Sequence, residues 1–155
     1  MHGIPRATKD IDIVIAPSRD QLALLVGQFP AAQYHAVLEE ALFAFDHQSI
    51  FNVTDYDTGW RVDFIIAKNT DFNAAEFHRR REVDVAGTRL YVASPEDVLI
   101  AKLDWAKQGA SDRQIDDAAN IIRAQGDDLD VPYIERWVDA LELQAQWRAA
   151  RGMVV

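Results

Sequence analysis

The 155-residue chain contains no cysteine, and it is short of positive charge: 16 Lys and Arg stand against 25 Asp and Glu. The first absence excludes a disulfide framework and any thiolate metal site, structural zinc of the usual kind included. The second leaves a net charge of −9. That charge repels phosphate backbones over most of the surface, so any contact with nucleic acid has to be local. Long apolar runs are missing too: no segment approaches the ~20 residues that span a bilayer. The start at Met1 has no basic region followed by an apolar one, and the expectation is a soluble, cytoplasmic protein. Repeats, low-complexity tracts and linkers rich in Gly, Ser and Pro are likewise absent.

What the chain does have is apolar content, at 49%, which is enough for one compact unit to bury most of its apolar surface without staples. Its character changes midway. Residues 1–93 mix strand and helix patterns, whereas residues 94–155 read as helical almost throughout. The expected fold class is therefore α/β, or α+β: a mixed sheet with flanking helices and a C-terminal helical segment packed on it.

Asp10-Ile11-Asp12-Ile13-Val14-Ile15 alternates and is rich in β-branched residues, which predicts a strand with Ile11, Ile13 and Ile15 on the buried face and Asp10 and Asp12 on the other. Pro17 ends it. Ser18 with Gln21 three residues later forms a capping box for a helix to about Gln28, and a second helix covers Ala36 to Phe45. Two strands, Ser49 to Thr54 and Arg61 to Ile66, flank a turn-rich Asp55-Tyr56-Asp57-Thr58-Gly59 and suit an antiparallel hairpin. A polar helix from Asp71 to Arg81 leads to short strands at Glu82 to Val85 and Arg89 to Val92. Ser94-Pro95-Glu96-Asp97 then starts a helix to about Gln108, with the acids facing the helix dipole. Further helices run from Ser111 to Ala124 and onward from Asp130.

Two carboxylates two residues apart on a strand have Cα atoms roughly 6.5 Å apart and point the same way, so both can reach one or two divalent cations. A third carboxylate from a neighbouring strand makes a cage able to bridge two ions roughly 3.5 to 4 Å apart, the arrangement that stabilises in-line phosphoryl transfer. Asp63 is placed for this. Arg61, Asp63 and Ile65 face one side of their strand, and Val62, Phe64 and Ile66 face the other. The same pattern also describes an acid at a strand edge facing solvent.

The order of the blocks is more specific than any one of them. Gly3-Ile4-Pro5-Arg6-Ala7-Thr8-Lys9-Asp10-Ile11-Asp12-Ile13-Val14-Ile15 resembles the signature of small bacterial nucleotidyltransferase-fold proteins of the polymerase-beta type, the group that includes AbiEii-type toxins. In that group an Arg-x-Thr-x-Asp-x-Asp run enters the metal-binding strand. Arg61-Val62-Asp63-Phe64-Ile65 resembles its third-carboxylate strand. Ser94 to Leu103 and Ser111-Asp112-Arg113-Gln114-Ile115-Asp116-Asp117 resemble its helical half.

The resemblance implies an Mg²⁺-dependent enzyme transferring a nucleoside monophosphate from a nucleoside triphosphate to a hydroxyl on RNA, protein or a small molecule. Asp10, Asp12 and Asp63 would hold two Mg²⁺, and Asp63 would serve as general base. Arg6, Thr8 and Lys102 would contact the nucleotide. A strand and a Gly-Gly or Gly-Ser phosphate turn normally precede the run; here the chain begins at Met1-His2-Gly3, without a counterpart. The alternative is a catalytically degenerate binding module, a homodimer through an open sheet edge or one half of a toxin and antitoxin pair. A phosphohydrolase using the same acids is a third reading.

Other features carry plainer readings. Lys102 also suits an ordinary lysine lying along a helix, and Arg113 with Asp116 a local ion pair. His78-Arg79-Arg80-Arg81, the only basic run, suits a helix C-terminus as well as it suits phosphate. Trp105, Trp137 and Trp147 are placed for core packing, and His2, His35 and His47 show no metal-ligand spacing.

Overall fold

A computed structural model describes residues 10–109 and 111–154. Arg6 and Thr8 lie outside them. The chain divides into two compact units at the boundary between residues 70 and 71.

The N-terminal unit holds β1 (Asp10–Ile15), α1 (Arg19–Val26), β2 (Tyr34–His35), α2 (Leu38–His47), β3 (Ile50–Asp55) and β4 (Arg61–Ile66). The strands form one sheet in the order β1-β4-β3-β2, with β1 parallel to β4 and the other pairs antiparallel. The β3–β4 turn closes because Asp55 Oδ1 accepts hydrogen bonds from the amides of Asp57 and Thr58, each at 2.9 Å. The turn then leaves through Gly59 at φ 68°, a left-handed conformation that disfavours a side chain. The expected capping box is present: Ser18 Oγ accepts from the Gln21 amide at 3.2 Å, and Gln21 Oε1 accepts from the Ser18 amide at 2.8 Å.

Both helices cover the same sheet face. Leu22 and Val26 of α1 and Ala41 and Ala44 of α2 join Phe51, Val53, Phe64 and Ile66 in one buried cluster. Phe51 and Phe64 stack across the strands at 5.1 Å between ring centres. Burying a side chain such as Leu22 contributes on the order of 2 kcal/mol.

One expectation fails on this face. Ile11 and Ile13 point with Val62 and Phe64, as the alternation requires, yet they are 47% and 39% exposed; only Ile15 packs against the cluster. The reason is position: β1 is an end strand of the sheet among the described residues, while the cluster centres on β3 and β4.

The C-terminal unit contains α3 (Asp71–Arg79), the hairpin β5 (Arg81–Val85) and β6 (Thr88–Val92), then α4 (Pro95–Gly109), α5 (Asp112–Gln125), a 3₁₀ turn (Gly126–Asp128), α6 (Val131–Ala140) and α7 (Gln144–Gly152). Its core joins Phe72 to Leu99, Ile100 and Leu103 of α4, Ile115 and Ala118 of α5, Ile134 and Val138 of α6, and Trp147 and Ala150 of α7. The sequence changes character at 93/94 within what it suggests is one compact unit. The units part at 70/71, because α3 contributes Phe72 to the helical core and Arg79 to ion pairs with Glu96 and Asp97. The final helical stretch is two helices, α6 and α7, separated where Glu142 takes φ 55° and Leu143 is fully buried. Among the described residues no helix is long and apolar enough to cross a membrane.

Candidate metal site

The three candidate acids lie on the sheet face opposite α1 and α2. Parallel register pairs Asp10 with Arg61 and Asp12 with Asp63, so all four side chains leave one face of two neighbouring strands. The rows continue across β3: Asp12, Asp63 and Asn52 form one, and Asp10, Arg61 and Thr54 the next, which ends at His35 on β2. Neighbouring strands are about 4.8 Å apart, so Asp12 and Asp63 start from backbone positions within reach of one cation. The period-2 reading of Asp10, Asp12 and Asp63 thus describes the backbone correctly.

Arg61 was not singled out, although the same alternation put it beside Asp63. Its Nη2 donates to Asp63 Oδ2 at 2.9 Å, and its Nε lies 3.5 Å from Asp10 Oδ1. The side chains of Arg61 and Asp10 are nearly half exposed, whereas Asp63 keeps only 17% of its surface. The guanidinium therefore sits between two of the three acids.

In kind, the donors suit a hard divalent cation: carboxylates only, on one face, with two of them adjacent across a strand pair. In their present arrangement they do not converge on an ion. No group of three or more His, Cys, Asp or Glu among the described residues is placed to hold a metal. Arg61 engages Asp63 and Asp10 instead.

Lys102 belongs to the C-terminal unit. Its Nζ lies 3.6 Å from Asp117 Oδ2 and 5.3 Å from the centre of the Trp105 ring. Asp116, whose spacing from Arg113 suits a local ion pair, is exposed, and its neighbour Asp117 is the residue of α5 that turns toward Lys102. The two are adjacent and so face about 100° apart on a helix, and spacing alone does not say which one meets α4.

No protein-family model matches the chain, and no curated protein matches it.

The basic run resolves into separate roles. Arg79 donates to Glu96 Oε2 at 3.0 Å and to Asp97 Oδ2 at 3.2 Å, and it stacks on the Tyr133 ring at 3.8 Å. Asp97 has no exposed surface; it also accepts from Ser94 Oγ and Tyr133 Oη, both at 2.6 Å. Burial, then the hydrogen bond and charge of Asp97, push the Tyr133 phenol well above its ordinary pKa. Burial by itself would raise Glu96. The backbone amides of Glu96 and Asp130, Ser94 and Arg79 outweigh it and hold Glu96 below its ordinary value. Arg79 is thus engaged in a partly buried ion-pair network joining α3, α4 and α6. Arg80 lies over the rings of Phe77 and Tyr91 instead.

Proposed function

We propose that the chain is an Mg²⁺-dependent nucleotidyltransferase that moves a nucleoside monophosphate from a nucleoside triphosphate to a hydroxyl on RNA, protein or a small molecule. The register that sets Asp12 beside Asp63, with Asp10 on the same face, carries this reading. The order of the sequence blocks supports it as a resemblance, which is what favours nucleotidyl transfer over hydrolysis by the same acids.

In it, Asp10 and Asp12 hold the metal and Asp63 completes the site. When bound, Mg²⁺ neutralises the triphosphate and stabilises the departing pyrophosphate. Asp63 accepts the proton of the acceptor hydroxyl as that oxygen bonds to the α-phosphorus and the bond from the α-phosphorus to the bridging oxygen breaks. Little else is required of the protein, because phosphoryl transfer depends chiefly on positioning and charge.

The test is incubation with labelled triphosphates and candidate acceptors in Mg²⁺. Label should pass to an acceptor with the native chain and fall by about 10²-fold or more in Asp12→Asn, as for loss of a group that stabilises developing charge. Equal transfer by the two proteins removes the site.

The contacts of Arg61 favour a second reading: a scaffold whose acids are satisfied internally, acting as a binding module in a homodimer or with an antitoxin partner. In that case neither Mg²⁺ nor nucleotide raises the melting temperature, since a ligand of the native state must stabilise it.

A further inference from the structure

We propose that two copies of the chain associate through β6, strand against antiparallel strand about a two-fold axis at Leu90, so that their β5–β6 hairpins form one four-stranded sheet. This interface lies apart from the acids of the N-terminal unit and does not depend on the metal-site reading.

The hairpin has an apolar face that its own chain leaves uncovered. Val83, Val85, Leu90 and Val92 share that face, with Arg81 and Thr88 at its ends, and Glu82, Asp84, Arg89 and Tyr91 share the other. No residue of either strand is buried and none joins the helical core; Val85 and Leu90 are 53% and 45% exposed. Two strands without a buried face are marginal in water, and further strands are one way to stabilise them. Among the described residues this sheet stops at two.

The turn fixes which backbone groups look outward. Ala86 and Gly87 both take positive φ, 53° and 83°, as a two-residue type I′ turn requires, and Val85 pairs with Thr88 across it. Hydrogen-bonded pairs alternate along the ladder from that closing pair. Thr88, Leu90 and Val92 therefore bond inward to β5, while the amides and carbonyls of Arg89 and Tyr91 point away from it. A second β6 running antiparallel offers the same two residues. Arg89 exchanges two bonds with Tyr91 of the second copy, Tyr91 does the same with Arg89, and Leu90 faces Leu90 on the axis.

Charge selects this edge. On β5 the outward residues are Glu82 and Asp84, so pairing β5 with itself sets acid directly against acid twice. Pairing β6 with itself sets Arg89 against the uncharged Tyr91 and keeps Asp84 of its own hairpin on its other side. The hairpin is also locally neutral, with Arg81 and Arg89 against Glu82 and Asp84, in a chain of net charge −9. The repulsion between two acidic chains therefore does not concentrate at the contact. Once both β6 edges are used, only the two β5 edges remain, and their acids block further addition. The assembly closes at two copies.

Sedimentation velocity of the full chain, from micromolar to millimolar concentration in moderate salt, tests this. An edge contact of this length falls short of a standard interface, so the expected result is a reversible dimer with a dissociation constant on the order of 10 to 100 µM. Leu90→Lys places two ammonium groups face to face on the axis and should weaken association by about ten-fold or more. Tyr91→Pro removes an outward N–H while sparing the ladder to β5, and should also give monomer. Val85→Lys puts the same charge on the same apolar face away from the axis and should still dimerise. Far-UV circular dichroism checks that each variant is folded, and Tyr91→Pro supplies the comparison if Leu90→Lys is not.

A native chain that stays monomeric at millimolar concentration overturns the proposal, as does a mass that keeps growing beyond two copies. A dimer that survives Leu90→Lys or Tyr91→Pro uses another surface. A dimer lost equally in Val85→Lys reflects general adhesion of the apolar face, and either result overturns the β6 pairing.

Discussion

Asp97 is the residue whose environment leaves least freedom. Fully buried, it is held by Ser94, Arg79 and Tyr133, and removing its charge leaves the Arg79 guanidinium without its inner partner. Breaking one side of a buried pair costs several kcal/mol, so Asp97→Asn should destabilise the chain by about 3 kcal/mol in denaturant unfolding. Tyr133→Phe removes only one charge-assisted hydrogen bond and should cost about 1.5 kcal/mol. If the two variants cost the same, the ion pair with Arg79 carries no weight. Ser94-Pro95-Glu96-Asp97 was legible as a helix start, and Ser94 Oγ does accept from the Asp97 amide at 3.2 Å. Its acids were expected to face the helix dipole; their burial against Arg79 was not legible, because that partner comes from another helix at no fixed sequence spacing.

Glu76 and Glu96 give opposite pH signatures. Burial, opposed by the Asn73 hydrogen bond and aided by the charge of Asp97, raises Glu76 above its ordinary 4.5. Its contribution to stability is therefore complete below that value and is lost as pH rises through the raised one. Glu76→Gln should raise the melting temperature at neutral pH and give no advantage near about pH 4. Glu96 is held below its ordinary value, so its contribution is present above 4.5 and is lost as pH falls through the depressed one. A Glu76→Gln gain that persists unchanged into acid would show that burial of the charge is not its cause.

At the scale of elements, what could be read beforehand was whatever a local rule determines. The capping box at Ser18, the β3–β4 hairpin and the faces of β1 and β4 all follow from spacing within a few residues. Ser18→Ala should accordingly cost about 1 kcal/mol by chemical denaturation, the usual worth of a helix cap; an unchanged midpoint would mean that α1 is held by Leu22 and Val26 alone. Properties set by neighbours were less accessible. Alternation gave the direction of Ile11 and Ile13 but not their exposure, because nothing in six residues says that the strand lies at one end of the sheet formed by the described residues. The break between α6 and α7 is equally silent, since it passes through Glu142, with neither Gly nor Pro to mark it. The two-residue strand β2 carries no pattern at all; its pairing with Thr54 and Asp55 exists only once β3 is in place. The site divides in the same way. The shared faces of Asp10 with Asp12 and of Arg61 with Asp63 were legible from a period of two, whereas the contact of Arg61 with Asp10 required knowing that β1 pairs with β4 in the register that brings the two alongside.

For the molecule as a whole, the net charge of −9 confounds any simple test of metal binding. A strongly acidic chain repels itself, so added salt of any kind screens the repulsion and raises the melting temperature somewhat. Mg²⁺ does this more strongly than Na⁺ without needing a site. The diagnostic quantity is the excess stabilisation by millimolar Mg²⁺ over NaCl of equal ionic strength, compared between the native chain and Asp12→Asn. Generic screening acts on the entire surface, and the variant alters one charge in nine of net excess, so it should retain nearly all of that component. Site binding acts through RT ln(1 + [L]/Kd), about 1.4 kcal/mol when the ion is at some ten times its dissociation constant, and it should vanish with Asp12. The expected outcome is an Mg²⁺ excess in the native chain that Asp12→Asn loses while its response to NaCl is unchanged. An excess that survives the substitution would assign the effect to the acidic surface at large and leave the face shared by Asp10, Asp12 and Asp63 without a metal-binding role.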